Sequence, residues 1–167
     1  MRIGTRLALL IVIALATIGC DRVTKQAATM FLVGKPTQSF FGDTVRLSYA
    51  ENAGGFLSLG AGLPPAVRTA VFTVASGLML LFSIGLAVRS RWTLWPTVAL
   101  ALFVAGGASN WIDRLVRGSV VDFLNVGVGW LRTGIFNVAD VAIMLGVGIF
   151  LLAESRTRNT QSDPTDR

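Results

Sequence analysis

The chain has 167 residues, 53% of them hydrophobic and only 14% charged, with a formal net charge of +6, one cysteine and no histidine. Soluble domains carry roughly 25% charged residues, so composition argues against a small soluble globule. The missing histidine excludes Ser-His-Asp and Cys-His catalysis and any histidine metal site, and the lone Cys20 excludes a disulfide framework or a cysteine zinc centre.

Arg6 and Asp21 enclose 14 uncharged residues. This run covers only about 20 Å of a hydrocarbon core roughly 30 Å thick. To span, the helix must continue past Asp21 through Val23, Ala27, Ala28 and Phe31, giving a first span over about 7–30. Arg2, Arg6, the apolar core and Ile18-Gly19-Cys20 have the look of a lipoprotein signal peptide. Thr17 stands where such cleavage motifs have leucine and three more apolar runs follow, so Cys20 is read as a small residue in an uncleaved helix. Thr44 to Tyr49 alternates apolar and polar between Gly42 and the Asn52, Gly54, Gly55 cluster, which predicts a short strand. With Phe40, Phe41, Phe56 and Leu57 nearby, a small sheet resting on the membrane surface and a plain loop with aromatic anchors are both open.

Thr69–Val88 and Trp92–Ile112 are uncharged runs of 20 and 21 residues, long enough to cross a bilayer, and predict spans over 67–88 and 92–112. Asp140 and Glu154 enclose 13 uncharged residues. A fourth span over 135–153 must therefore start before Asp140, near Gly134, which puts Asp21 and Asp140 about 10 Å below the membrane surface. Intramembrane carboxylates are functional by default. The polar residues 156–167 read as a disordered tail. The expected fold class is an all-α membrane protein: four transmembrane helices with a small extracytoplasmic β-like lobe, residues 1–155 forming one membrane-embedded domain. Arg2, Arg6, Arg89, Arg91, Arg156 and Arg158 sit in very short segments on the side of both termini, which the positive-inside rule makes cytoplasmic. The basic residues punctuate apolar runs and form no patch, so no nucleic-acid partner is expected.

The polar residues gather toward the outer face. Asp21 and Lys25 are four apart on the first helix and can pair. Asn110, Asp113, Arg114 and Arg117 share helical spacing at the end of the third span, and Asn137 and Asp140 open the fourth. The pairs Asp21-Lys25 and Asp113-Arg114 are read as structural. Asp122 and Asp140 differ, because neither has a basic residue within four positions. Two such carboxylates brought together share one proton, so one can activate water while the other protonates the leaving amine. A Ser-Lys dyad of Lys25 with Ser48 or Ser58 competes poorly, since Asp21 keeps Lys25 charged. A non-enzymatic transport or scaffold protein with buried aspartates is the alternative from another class.

Five segments resemble the bacterial lipoprotein signal peptidases (signal peptidase II). They are Asp21-Arg22-Val23-Thr24-Lys25, Glu51-Asn52-Ala53-Gly54-Gly55-Phe56, Gly106 to Arg114, Val120-Val121-Asp122-Phe123, and Phe136-Asn137-Val138-Ala139-Asp140. The resemblance implies an inner-membrane aspartic endopeptidase that removes signal peptides from diacylglyceryl-modified prolipoproteins, cutting just before the lipidated cysteine. It implies Asp122 and Asp140 as the catalytic pair, and Asp21, Lys25, Asn52, Gly54, Asn110, Arg114 and Asn137 as residues that bind substrate or organise the site. It further implies no metal or organic cofactor, partners limited to prolipoprotein substrates and membrane lipids, a monomer, and an active site toward the outer face that globomycin would occupy. Two positions depart from the family pattern: Gly55 is followed directly by Phe56, and Ser109 stands where glycine is usual.

Overall fold

The structure is a computed structural model that describes residues 3–55, 60, 62–89 and 93–161. Helix α1 spans Ile3–Leu32. Strands β1 (Gln38–Phe40) and β2 (Val45–Asn52) follow. Helix α2 (Pro65–Arg68) runs through a π-helical turn, Thr69–Ala75, into α3 (Ser76–Arg89). Helix α4 is Leu94–Arg117, strands β3 and β4 are Val120–Val128 and Leu131–Arg132, and α5 is Val138–Gln161.

Among the described residues, three helical stretches are long and apolar enough to cross a membrane: Ile3–Leu32, Pro65–Ala87 and Val138–Arg156. Their outward faces are covered by exposed apolar side chains such as Leu15, Val23, Phe82 and Leu151, each more than 60% exposed, which only a lipid surround would satisfy. Helix α4 is as long but carries Asn110, Asp113 and Arg114 in its last two turns. It can carry them because it is the central helix, packed by α1, α3 and α5. Gly106 and Gly146 make the α4–α5 approach close: a Cβ at Gly106 would overlap the Ala139 carbonyl, and one at Gly146 would come within 2.6 Å of the Ala99 carbonyl. Helix α3 packs on α4 without an extensive interface to α1 or α5, so a crevice lies on either side of it. Trp111 fixes α3 to α4 by donating its indole N–H to the Thr73 carbonyl at 2.7 Å, within the π-helical turn.

The sheet is larger than the sequence suggests. The strand expected at Thr44–Tyr49 is β2, and it lies second in a four-stranded antiparallel sheet ordered β1-β2-β3-β4. Leu47 pairs with Leu124 but Ala50 pairs with Asp122, so β2 holds one extra residue there, a β-bulge beside an acidic side chain. The mostly helical chain with a small β lobe is as expected, and that lobe supplies β3, and with it Asp122. The fourth helix begins later than expected, at Val138. Phe136 is held outside it, exchanging backbone hydrogen bonds with Leu124 on β3. At its other end α5 continues to Gln161, into the stretch expected to be disordered, because no glycine or proline intervenes before Pro164. Phe56, Leu57, Ser58, Arg2, Arg91 and residues 162–167 lie outside the described residues.

Candidate active site

Helix α1 buries a single stripe, Thr17, Asp21, Lys25, Ala28 and Leu32, at spacings of three and four. Two of its members are charged, and their partners come from α4. The Lys25 ammonium is 2.6 Å from Asp21 Oδ2 and donates at 2.8 Å to Asp113 Oδ2 and at 2.8 Å to Asn110 Oδ1. Its three protons are thereby used, and a side chain committed in this way is no free base. Arg22 donates to Asp113 Oδ1 at 2.5 Å, and Ser109 donates to Asp21 Oδ2 at 2.6 Å. The hydroxyl that departs from the family pattern is thus absorbed into the ionic cluster. The expected Asp113-Arg114 pair does not form. Adjacent residues on a helix point about 100° apart: Asp113 faces α1, while Arg114 donates to the Gly54 carbonyl at 2.7 Å.

The start of α5 completes the site. Asn137 is its N-cap, and its Oδ1 accepts the Asp140 N–H at 3.0 Å, while Asp140 Oδ2 accepts the Asn137 N–H at 3.1 Å. This is the reciprocal arrangement of a capping box, with aspartate at the third position. The intervening Ala139 N–H donates to Asp21 Oδ1 at 2.9 Å, so α1 satisfies a further orphan donor of α5.

Three asparagines then determine what the two isolated aspartates see. Lys25 has only protons to give, so Asn110 must turn Oδ1 toward it, and its amide N–H2 donates to Asp140 Oδ1 at 2.9 Å. Asn137 accepts a backbone N–H, and its N–H2 therefore donates to Asp122 Oδ1 at 2.6 Å. Asn52 accepts the Gly54 N–H at 2.9 Å, and its N–H2 donates to Asp122 Oδ2 at 2.9 Å. Each of the four carboxylate oxygens receives one N–H. Asp122 is 1% exposed and Asp140 7%. Burial holds the Asp122 pKa above the usual aspartate value, against the opposing pull of the Asn52 and Asn137 amides and the Lys25 and Arg114 charges.

The structure therefore joins Asp21, Lys25, Asn52, Gly54, Asn110, Arg114, Asp122, Asn137 and Asp140 in one hydrogen-bonded network. Sequence reasoning missed Ser109, Arg22 and Asp113 as its braces, since their partners lie more than 80 residues away. The capping box was missed as well, because the helix was expected to start near Gly134, although Asn137 and Asp140 three apart carry its signature.

A cleft of about 400 Å3 reaches this network between α3 and α5. Asp140, Asn110 and Arg114 line its polar end, and Met79, Ile143 and Met144 its apolar flank. Met79 and Met144 are half exposed, so the cleft opens on the apolar surface of the helices. Such a site can admit an extended chain from the side and present it to Asp140, which Asn137 links to Asp122. Gly55 lies on the cleft wall with Phe72 packed where a side chain would stand, so an alanine methyl, only 2.7 Å from the ring, would displace it.

The sequence pattern described as signal peptidase (SPase) II matches residues 13–156. A lipoprotein signal peptidase of Borrelia turicatae (strain 91E135) is 30% identical over 149 residues, covering 86% of this chain and 87% of its own. One from Leifsonia xyli subsp. xyli (strain CTCB07) is 34% identical over 156 residues, 90% of this chain and 68% of that protein. Among solved structures, a bacterial membrane enzyme determined by the in meso method at 2.3 Å resolution superposes with a TM-score of 0.79 at 25% identity, covering 96% of this chain and 93% of the other.

Proposed function

The chain belongs to the signal peptidase II family, which removes signal peptides from prolipoproteins, and from that premise we propose that it cuts by an aspartate pair, Asp122 and Asp140. The observation that carries the mechanism is Asn137, whose one side chain caps Asp140 and binds Asp122, holding two buried carboxylates on a common bridge.

In the proposed reaction one carboxylate takes a proton from water, and the water oxygen adds to the scissile carbonyl carbon. The other carboxyl gives its proton to the amide nitrogen as the C–N bond breaks. The products are a signal peptide ending in a carboxylate and a mature chain whose lipidated cysteine bears a free amine. The pair shares one proton, so the two residues titrate together. Asn52, Asn110 and Asn137 keep both carboxylates supplied with donors. Asp21, Lys25 and Arg114 hold those asparagines and the Gly54 loop in register.

The protein belongs in the bacterial inner membrane, and we read it as one membrane-embedded domain over 1–155 with four spans. The central position of α4 among the three apolar helices supports counting it as the fourth. Both termini then lie in the cytoplasm, with the dyad and the sheet toward the outer face. The protein acts as a monomer without a cofactor, and the substrate's cysteine already carries diacylglycerol. The lateral cleft between α3 and α5 supports entry of such a substrate from the bilayer. A transport or scaffold role is not favoured, because the buried charges gather at one end of the helices instead of near their middle.

Purified full-length protein incubated with one precursor in modified and unmodified forms tests the reading. Mass spectrometry should find a new amino terminus at the lipidated cysteine, and only in the modified form. Equal cleavage of the unmodified precursor, or a cut elsewhere, would overturn it.

A further inference from the structure

The second crevice beside α3 lies on the face away from the dyad cleft, between α1 and α3 and floored by α4. It has a volume of about 340 Å3. Ala101, Ala105 and Ala108 of α4 form its floor, Ala14 of α1 adds to one wall, and the rest is apolar except for Arg6. Arg6 stands at its foot and donates to the Ala87 carbonyl near the end of α3. The head of the groove, at Ile18 and Ala108, stops just short of Ser109 and Asp21, so the groove and the ionic cluster are neighbours.

Dimensions select the occupant. From Arg6 to Ile18 the groove follows α1 for about 18 Å, close to half of a hydrocarbon core roughly 30 Å thick. Spread over that length, 340 Å3 is a cross-section of about 19 Å2. Carbon atoms in contact sit about 4 Å apart, so this is the footprint of one extended hydrocarbon chain. Charge selects the headgroup, because the polar end of the groove is cationic and anionic lipids are drawn to such sites.

We propose that this groove is a binding site for an anionic phospholipid of the leaflet that carries both termini, one acyl chain lying along the α4 alanines and the phosphate against Arg6. The proposal rests on the reading that the chain spans the bilayer, and it does not depend on the aspartate mechanism. Bound there, the lipid fills the gap that α3 leaves beside α1 and braces the helix whose other flank forms the substrate cleft.

Native mass spectrometry of the delipidated full-length protein, titrated with dioleoyl phosphatidylglycerol or dioleoyl phosphatidylcholine, tests the site. Wild type should take up one phosphatidylglycerol with at least tenfold preference over phosphatidylcholine. Ala14→Phe, which fills the groove from α1, should lose that adduct at least tenfold, and Ile84→Phe should do the same from α3. Arg6→Gln should still bind lipid but without headgroup preference. Prolipoprotein cleavage by the two groove-filling variants, kept within a fewfold of wild type, shows that they are folded. Equal adducts in wild type and both filled variants, or no headgroup preference in wild type, would overturn the proposal.

Discussion

Replacing Asn137 by serine and by alanine separates two tasks that its side chain performs at once. The Oδ1 atom caps α5 by accepting the Asp140 N–H, and the N–H2 group donates to Asp122 at 2.6 Å. Serine is as good an N-cap as asparagine, but it is too short to reach Asp122 while capping. Alanine does neither. Loss of an N-cap costs about 1 kcal/mol, a fall of roughly 2–4 °C in thermal midpoint for a domain of this size. A hydrogen bond to a charged group contributes about 1.5–3 kcal/mol, which is about ten- to a hundredfold in rate if it is felt in full in the transition state. Both variants should therefore lose activity to a similar extent, while Asn137→Ala melts roughly 2–4 °C below Asn137→Ser, the share of the lost cap. The assay is cleavage of a diacylglyceryl-modified prolipoprotein in detergent, with the melt followed by circular dichroism on the same samples. If Asn137→Ser cleaves like wild type, the bridge to Asp122 plays no part in catalysis and the residue is a cap alone.

Lys25→Met removes the one cation between Asp21 and Asp113, and breaking a buried ion pair costs about 3–5 kcal/mol. The thermal midpoint should fall by roughly 6–20 °C, and kcat should fall more than KM rises because Asn110 loses the donor that fixes its amide; an unchanged melt would contradict this. Cleavage should follow a bell-shaped pH dependence. As pH falls the pair takes up a second proton and loses its base, and as pH rises it loses the shared proton and hence its acid. Burial keeps Asp122 protonated to higher pH than a free aspartate, which places the alkaline limb above the ordinary carboxylate range; a rate that only rises with pH would count against a shared proton. Gly106→Val should drive α4 and α5 apart, because its side chain would overlap the Ala139 carbonyl one residue before Asp140. An overpacking cost of about 1–3 kcal/mol and loss of cleavage are expected, and wild-type melting and turnover would refute the close approach.

How much of this was readable in the sequence depended on the range of the interaction. Asp122 and Asp140 stood out because neither has a cation within a helical turn, and the structure surrounds both with neutral amides. The four helices were readable from uncharged runs, though the start of α5 was displaced, since Ile135 and Phe136 are apolar whether they enter a helix or join a sheet. Strand β3 was missed for a related reason: Val120 to Phe123 are all buried, so the alternation that marks a half-exposed strand is absent. Local spacing found Asp21-Lys25 correctly and misjudged Asp113-Arg114, because adjacency in sequence is not adjacency on a helix. The bracing of Asp21 by Ser109 and Ala139 joins α1 to α4 and α5, and only tertiary packing reveals it.

The central claim is that two aspartates carry the chemistry, and single isosteric substitutions test it most directly. Wild type, Asp122→Asn and Asp140→Asn, each purified and shown by its melt to be folded, would be compared on the same diacylglyceryl-modified prolipoprotein by gel shift. Cleavage by wild type alone, with both variants inactive, is the predicted result. Full turnover by either variant would contradict the dyad and send the search for the catalytic group elsewhere in the network.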